Sequence, residues 1–272
     1  MPIAATPKEY APVTAVIPCY RCGQTIRRAL ESVAAQTVLP REVILVDDCS
    51  GDGTAESLRR IAAEHPAGWI KVVSLPANGG PGYARNAGWD TATQPYIAFL
   101  DADDSWHQRK LEIQYGWMRA NPDAMLTGHP SMRMENGEIP PPLPGEVEAG
   151  RIDRRRLLLS NCFSSRSTMF RRDLAVRFHP TKRYMEDYWW LLQIAFSGQE
   201  IVRLSLPLAF TFKADYGESG LSARLWEMEK GELDSYWDLR RGGKLGLMST
   251  SLLSLWSLLK YARRWIVSVL AR

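Results

Sequence analysis

The densest chemistry in the chain is Asp101-Ala102-Asp103-Asp104, three carboxylates in four residues after the apolar run Tyr96–Leu100. Like charges this close repel one another in a partly dry crevice unless a cation neutralises them. Their oxygens suit Mg²⁺ or Mn²⁺, and Mg²⁺ commonly takes one or two protein carboxylates plus substrate phosphates. Asp101 and Asp103 are therefore candidate metal ligands. Asp104 either joins them or, like Ser105, caps a helix expected over His107–Asn121. A second acidic pair, Asp47-Asp48, ends the run Glu42–Val46 and precedes Cys49-Ser50-Gly51-Asp52-Gly53-Thr54. A carboxylate there either accepts the N3–H of a pyrimidine or caps the following helix. Asn78-Gly79-Gly80-Pro81-Gly82-Tyr83-Ala84-Arg85 is glycine-rich at a helix start. Free backbone N–H groups at that start, with Arg85 one turn in, suit a diphosphate. The spacing is not G-x-G-x-x-G and follows a third strand, so it is no dinucleotide fingerprint. Glu186-Asp187 opens an aromatic-rich helix. A carboxylate lifted by Trp189 and Trp190 there is a general base, or else the two acids complement the helix dipole.

These residues need a scaffold that gathers them, and the hydrophobic pattern supplies one. Short apolar runs at Val13–Ile17, Glu42–Val46, Ile70–Leu75 and Tyr96–Leu100 alternate with amphipathic stretches at Thr25–Gln36, Thr54–Glu64 and Pro81–Thr91. Strand, helix, strand with short connections implies an α/β, Rossmann-like, mostly parallel sheet with right-handed crossovers. Val43-Ile44-Leu45-Val46 lacks polar alternation, as befits a strand buried on both faces. In such sheets ligands bind at the carboxyl ends of the strands. Each of the four strands ends in a polar signal: Pro18-Cys19-Tyr20, Asp47-Asp48, Asn78-Gly79-Gly80 and the Asp101 cluster. The second half predicts a proline-rich loop over Glu138–Pro144, a strand at Cys162–Phe170 and a helix at Glu186–Ser197. A strand pair or one long strand follows at Ile201–Phe212, then a polar helix at Leu221–Asp238.

The composition is that of a globular protein, with 45% apolar and 24% charged residues in 272. Four cysteines are too few to staple a fold of this size, and Met1–Pro12 has no basic and apolar leader pattern, so a cytoplasmic setting is expected. Cys19-Tyr20-Arg21-Cys22 invites a redox or zinc reading, but Cys49 and Cys162 are solitary and the histidines lack ligand spacing. The net charge of +4 is uneven: Arg240–Arg272 holds seven basic and no acidic residues. The body shows no nucleic-acid footprint, whereas the basic tail points to a membrane surface or a polyanion as neighbour. Leu245–Leu259 is fifteen uncharged residues, short of the roughly 20 needed to span a bilayer. It is either a terminal helix packed on the domain or an interfacial helix with Leu252, Leu255, Trp256 and Leu259 facing lipid, peripheral on the inner face of the membrane.

Taken together, Thr14–Thr54, Asn78–Gly88 and Phe99–Asp104 resemble family 2 glycosyltransferases of the GT-A fold, closely over the first 110 residues or so and loosely to about residue 215. The resemblance implies a domain over 1–215, with a nucleotide-binding half at 1–105 and an acceptor half at 106–215, and a helical extension at 216–272. It places Pro18, Tyr20 and Asp48 on the uracil with Asp47 beside it, and Arg85 near the diphosphate. Asp101 and Asp103 match the metal and ribose motif, Asp103 being the direct ligand. Asp187 of the Glu186-Asp187 pair matches the base, and Glu186 and Trp190 are expected at the acceptor, near which Trp190 lies in relatives. It further implies inversion at the anomeric carbon, a UDP-sugar donor, Mn²⁺ or Mg²⁺, and a glycan or lipid-linked acceptor of bacterial surface polysaccharide. Two departures stand out. Cys22 replaces a more usual polar residue, and no Gln-x-x-Arg-Trp follows Asp187, which favours transfer of one sugar over polymer synthesis. A nucleotidyltransferase would want a basic glycine-rich loop after the first strand, where Pro18–Gly23 stands instead. A non-catalytic nucleotide-binding protein would have no use for intact Asp101, Asp103 and Asp187.

Overall fold

A computed structural model describes residues 9–213 and 220–270. The first half alternates as its periodicity requires: β1 (Glu9–Cys19), α1 (Ile26–Ala34), β2 (Val38–Asp47), α2 (Thr54–Ala63), β3 (Ile70–Ser74), α3 (Pro81–Thr91) and β4 (Tyr96–Phe99). The second half is built from shorter pieces: β5 (Ser105–Trp106), α4 (Lys110–Ala120), β6 (Leu126–Gly128), β7 (Ser131–Arg133), β8 (Ala149–Arg151), α5 (Arg154–Leu159) and β9 (Met169–Arg171). It continues with α6 (Glu186–Phe196), β10 (Ile201–Leu204), β11 (Ala209–Thr211), α7 (Leu225–Arg241) and α8 (Leu247–Leu270).

The main sheet runs β3-β2-β1-β4-β9-β6-β10-β8, and a small second sheet runs β5-β11-β7. β3, β2, β1 and β4 are parallel, and β9 enters antiparallel between β4 and β6. Side-chain alternation splits the core into two layers. Ala15, Ile17, Val43 and Leu45 face α1 and α2 with Ile26, Leu30, Val33 and Leu58. Val16, Ile44 and Val46 face the other side with Ala84, Trp89, Phe170 and Trp190. α3 lies close on the sheet because Gly88 has no side chain: a Cβ there would sit 2.3 Å from Cγ1 of Val16. That close seat sets the start of α3, and with it the glycine loop, at the sheet's carboxyl edge.

Several expected boundaries move. The helix expected from His107 begins at Lys110, behind Arg109, so neither Asp104 nor Ser105 caps it; Ser105 is paired into β5 instead. Only the end of Cys162–Phe170 is strand, since Ser165–Ser167 forms a 3₁₀ turn. Ile201–Phe212 divides into β10 and β11, which enter different sheets. The boundary expected at 215/216 lies outside the described residues. Beyond it, α7 sinks Tyr236 and Leu239 into the core beside Tyr188. α8 docks on α7 through ion pairs, Lys260 to Glu232 at 2.6 Å and Arg264 to Glu229 at 2.8 Å. Its Leu252, Leu255, Trp256 and Leu259 remain exposed. Among the described residues no helix is long and apolar enough to cross a membrane.

Candidate active site

The carboxyl edge of β1, β2 and β4, with the starts of α3 and α6, encloses one cleft of about 540 Å³. Pro18, Tyr20, Asp48, Asn78, Arg85, Asp101, Asp103, Glu186 and Asp187 all line it. Asp48 and Asp103, on opposite sides of β1, thus share a single space. Among the described residues the non-glycine positions with positive φ are Arg21, Cys49 and Met185. Each adjoins a site residue, as expected where the surroundings hold strained backbone for function.

On the β2 side, Asp48 ties the strand end to the glycine loop. It accepts the Gly79 and Gly80 N–H groups at 2.8 and 2.7 Å and the Asn78 amide at 2.9 Å. Burial raises its carboxyl above the ordinary value, against the pull of those two N–H groups. Arg183 completes the loop by donating to the Asn78 carbonyl and side-chain oxygens at 2.9 and 2.6 Å. Asp47 is placed differently from its neighbour. Its carboxylate accepts from Ser50 Oγ at 2.5 Å, and that oxygen accepts the Arg21 N–H at 3.0 Å, so Asp47 joins two loops and does not line the cleft. Cys19 and Cys22 do line it as free thiols, and burial pushes the Cys19 thiol up.

At the β4 end the acidic cluster is balanced by side chains from distant segments. Asp101 accepts from Arg85 at 2.7 Å and from Ser165 Oγ at 3.4 Å. Burial alone would raise its carboxyl, but Arg85 and Arg166 hold it below the ordinary value. Asp104 pairs with Arg166 at 3.0 Å and is buried, which pushes its carboxyl up to about 8. Asp103 pairs with Lys213. Arg166 and Lys213 belong to no motif and were invisible in the sequence, because only β9 and β11 bring their segments to this edge. Among the described residues no three His, Cys, Asp or Glu side chains are grouped to cage a metal. The donors that face the cleft, Asp103 and Asp101, are hard oxygens that fit Mg²⁺ or Mn²⁺ held jointly with a diphosphate, which needs only one or two carboxylates.

Arg85, expected near the diphosphate, lines the cleft but is paired with two carboxylates. Its two terminal nitrogens go to Asp101 at 2.7 Å and Glu186 at 2.8 Å, inside the protein, so it braces the β4 turn against α6. Burial lifts Glu186 to about 7 despite that guanidinium. Asp187, next on α6, is also raised by burial; it accepts the Tyr188 N–H at 2.7 Å and faces the cleft. A carboxylate more basic than usual, at the wall of a cleft, is equipped to take a proton. Trp190 does not reach this space. It is fully buried, stacks on Phe178 at 4.4 Å and donates its N–H to the Val176 carbonyl at 2.8 Å. Ser164, Arg166, Met185, Leu221 and Met228 also line the cleft.

Comparison with known proteins bears on the family and the fold. The UDP-Glc:alpha-D-GlcNAc-diphosphoundecaprenol beta-1,3-glucosyltransferase WfgD of Escherichia coli is 30% identical over 183 residues, 67% of this chain and 69% of that one. The putative teichuronic acid biosynthesis glycosyltransferase TuaG of Bacillus subtilis is 37% identical over 124 residues, 45% of this chain and 48% of its own. The succinoglycan biosynthesis protein ExoO of Rhizobium meliloti is 43% identical over 99 residues, 36% and 27% respectively. The match thus spans half or less of the latter two proteins. In fold, the mannosyltransferase PcManGT of Pyrobaculum calidifontis, solved with GDP-Man and Mn²⁺, superposes with a TM-score of 0.64 at 21% identity, covering 100% of this chain and 79% of that one. S. aureus TarS 1-349 in complex with UDP-GlcNAc gives 0.64 at 18% identity, covering 89% and 70%. The architecture is GT-A. Since the Glycosyl transferase family 2 profile matches residues 14–178, from β1 through the β4 turn to the approach of α6, the chain belongs to glycosyl transferase family 2.

Proposed function

We propose that this chain transfers a single sugar from a UDP-sugar to a hydroxyl of a glycan or lipid-linked acceptor in bacterial polysaccharide synthesis, with inversion at the anomeric carbon. The observation that carries the reading is the convergence of Asp48, the Asp101–Asp103 turn and Asp187 on one cleft. The names of the relatives support the chemistry, and the UDP-GlcNAc and GDP-Man complexes of proteins with this fold support a nucleotide-sugar donor. Pro18, Tyr20 and Asp48 hold the base, and Asn78 keeps the glycine loop and the start of α3 turned toward the diphosphate. Asp187 takes the acceptor proton as the hydroxyl attacks the anomeric carbon, and UDP leaves from the opposite face. A Mg²⁺ or Mn²⁺ ion on Asp103 and Asp101 would offset the charge that grows on the departing diphosphate. Arg85 and Glu186 keep that turn and the base in register. Leu252, Leu255, Trp256 and Leu259, beside the basic residues of 246–272, lie on the membrane surface where a lipid-linked acceptor resides.

The test is UDP release from a panel of UDP-sugars with Mn²⁺. Asp187→Asn should keep UDP binding and lose about 10²–10⁴-fold in turnover, the usual contribution of a general base. Near-normal turnover would remove the base assignment. A panel without any UDP release, but with pyrophosphate formed from a nucleoside triphosphate and a sugar phosphate, would favour a nucleotidyltransferase. Anionic vesicles should float the chain but not its Leu252→Glu/Leu255→Glu/Leu259→Glu variant; equal flotation would dismiss the membrane contact.

A further inference from the structure

β11 delivers Thr211 and Lys213 to the mouth of the cleft, facing the Asp101–Asp104 turn. The segment is pinned there from two sides. Arg28 stacks on the Phe212 ring at 3.6 Å and donates to the Asp103 carbonyl oxygen at 2.5 Å. The Lys213 ammonium pairs with the Asp103 carboxylate, and a Cβ on Gly220, also at the cleft, would lie 3.4 Å from the same nitrogen. This pair differs from the others on the turn. The Arg85 side chain is 5% exposed and locked between two carboxylates, whereas Lys213 and Asp103 are 39% and 31% exposed and open to the cleft. Lys213 can therefore leave Asp103 without opening the core.

We infer that Lys213 is a displaceable counter-cation: it holds Asp103 while the cleft is free of nucleotide, and moves to the donor diphosphate when a divalent cation takes Asp103. The inference rests on the donor and metal assignment above and adds an internal competitor that couples the two ligands. The physical reason is charge balance. One carboxylate cannot neutralise an ammonium and a divalent ion side by side without forcing like charges together. A diphosphate relieves the conflict by giving the flexible lysine a new anionic partner, a role its point charge suits. A divalent cation alone must evict Lys213 into water, while cation and nucleotide together repair the eviction. Each then strengthens the other's binding by the same factor, as linkage requires.

The experiment titrates Mn²⁺ into the full chain, following free Mn²⁺ by electron paramagnetic resonance with and without UDP, for the wild type, Lys213→Met and Lys213→Arg. Lys213 is exposed enough that neither change should disturb folding. Without UDP, Lys213→Met should bind Mn²⁺ about tenfold more tightly than wild type, the scale of losing a partly screened ion pair and its repulsion of the metal. Adding UDP should then improve its Mn²⁺ affinity by a correspondingly smaller factor, and Lys213→Arg should behave as wild type. The inference is overturned if Lys213→Met binds Mn²⁺ alone no more tightly than wild type, or if Lys213→Arg matches the methionine variant. If UDP fails to improve Mn²⁺ affinity even in the wild type, the donor assignment itself falls and takes the coupling with it. A normal UDP effect in the wild type with unchanged Lys213→Met affinity defeats the counter-cation role alone.

Discussion

Arg85 offers the sharpest test of how this site is built. It is 4% exposed and donates at 2.7 Å to Asp101 and at 2.8 Å to Glu186. Each contact, taken at about 4 Å between charge centres and an effective dielectric of 20, is worth on the order of 4 kcal/mol before desolvation. Arg85→Gln removes the cation and leaves two carboxylates facing each other in the interior. Breaking a buried ion pair in this way typically costs about 3–5 kcal/mol. Part of that is recoverable, because Glu186 already lies at about 7 and can take a proton once the guanidinium is gone. Arg85→Gln/Glu186→Gln should accordingly be the more stable of the two variants. Urea unfolding followed by tryptophan fluorescence measures the loss, since Trp89 and Trp190 are buried in the layer beneath the pair. UDP affinity, measured separately by calorimetry, should stay within a few-fold of wild type because both terminal nitrogens point at protein. A loss of less than about 1 kcal/mol, the scale of an exposed pair, together with a collapse in UDP affinity, would refute the bracing role and restore the diphosphate contact expected from sequence.

Glu186 also sets a pH dependence. Its folded value, about 7 against an ordinary 4.5, means the folded state holds its proton longer than the unfolded chain. Its contribution to stability is therefore full below the ordinary value and lost as pH rises through about 7, so unfolding midpoints in urea should fall over that window less in Glu186→Gln than in wild type. Asp187 is raised in the same direction, so the acid limb of the kcat profile should lie above the ordinary aspartate value of 3.8 and report the coupled pair. A limb at or below that value would contradict burial as the tuning force. Tyr20→Ala, which removes a half-exposed ring from the rim, should weaken UDP binding by about tenfold if the base stacks there, as aromatic stacking supplies about 1–3 kcal/mol per base. Trp190→Phe should instead lower the melting temperature and leave the acceptor KM unchanged; a raised KM with an unchanged melting temperature would return that ring to the acceptor site.

Much of the donor side is legible in the sequence because it depends on local order. Val13–Ile17, Glu42–Val46, Ile70–Leu75 and Tyr96–Leu100 have enough continuous apolar character to be strands, and in a parallel sheet whatever follows each strand meets at one edge. Pro18, Tyr20, Asp48, Asn78 and the Asp101 turn could thus be assigned to one cleft from chain order alone. Adjacent residues were harder to tell apart. Asp47 and Asp48 carry the same charge, yet one faces the Ser50 turn and the other the glycine loop, a choice made by strand pleat and by where Gly79 and Gly80 lie. Trp190 followed the same rule, since three residues along a helix from Asp187 is nearly a full turn, and packing against Phe178 decided that its ring belongs to the core.

The sequence by itself therefore determined the parallel β1–β4 half of the sheet and the edge on which the acids gather, because strand periodicity and chain connectivity are written in consecutive residues, while its motifs carried the resemblance to the family. Tertiary structure alone decided which cation meets each carboxylate. Arg85, Arg166 and Lys213 arrive from a helix, a 3₁₀ turn and the residues just past a strand. No local pattern encodes such meetings, since an ion pair forms wherever the folded chain brings opposite charges from distant segments together.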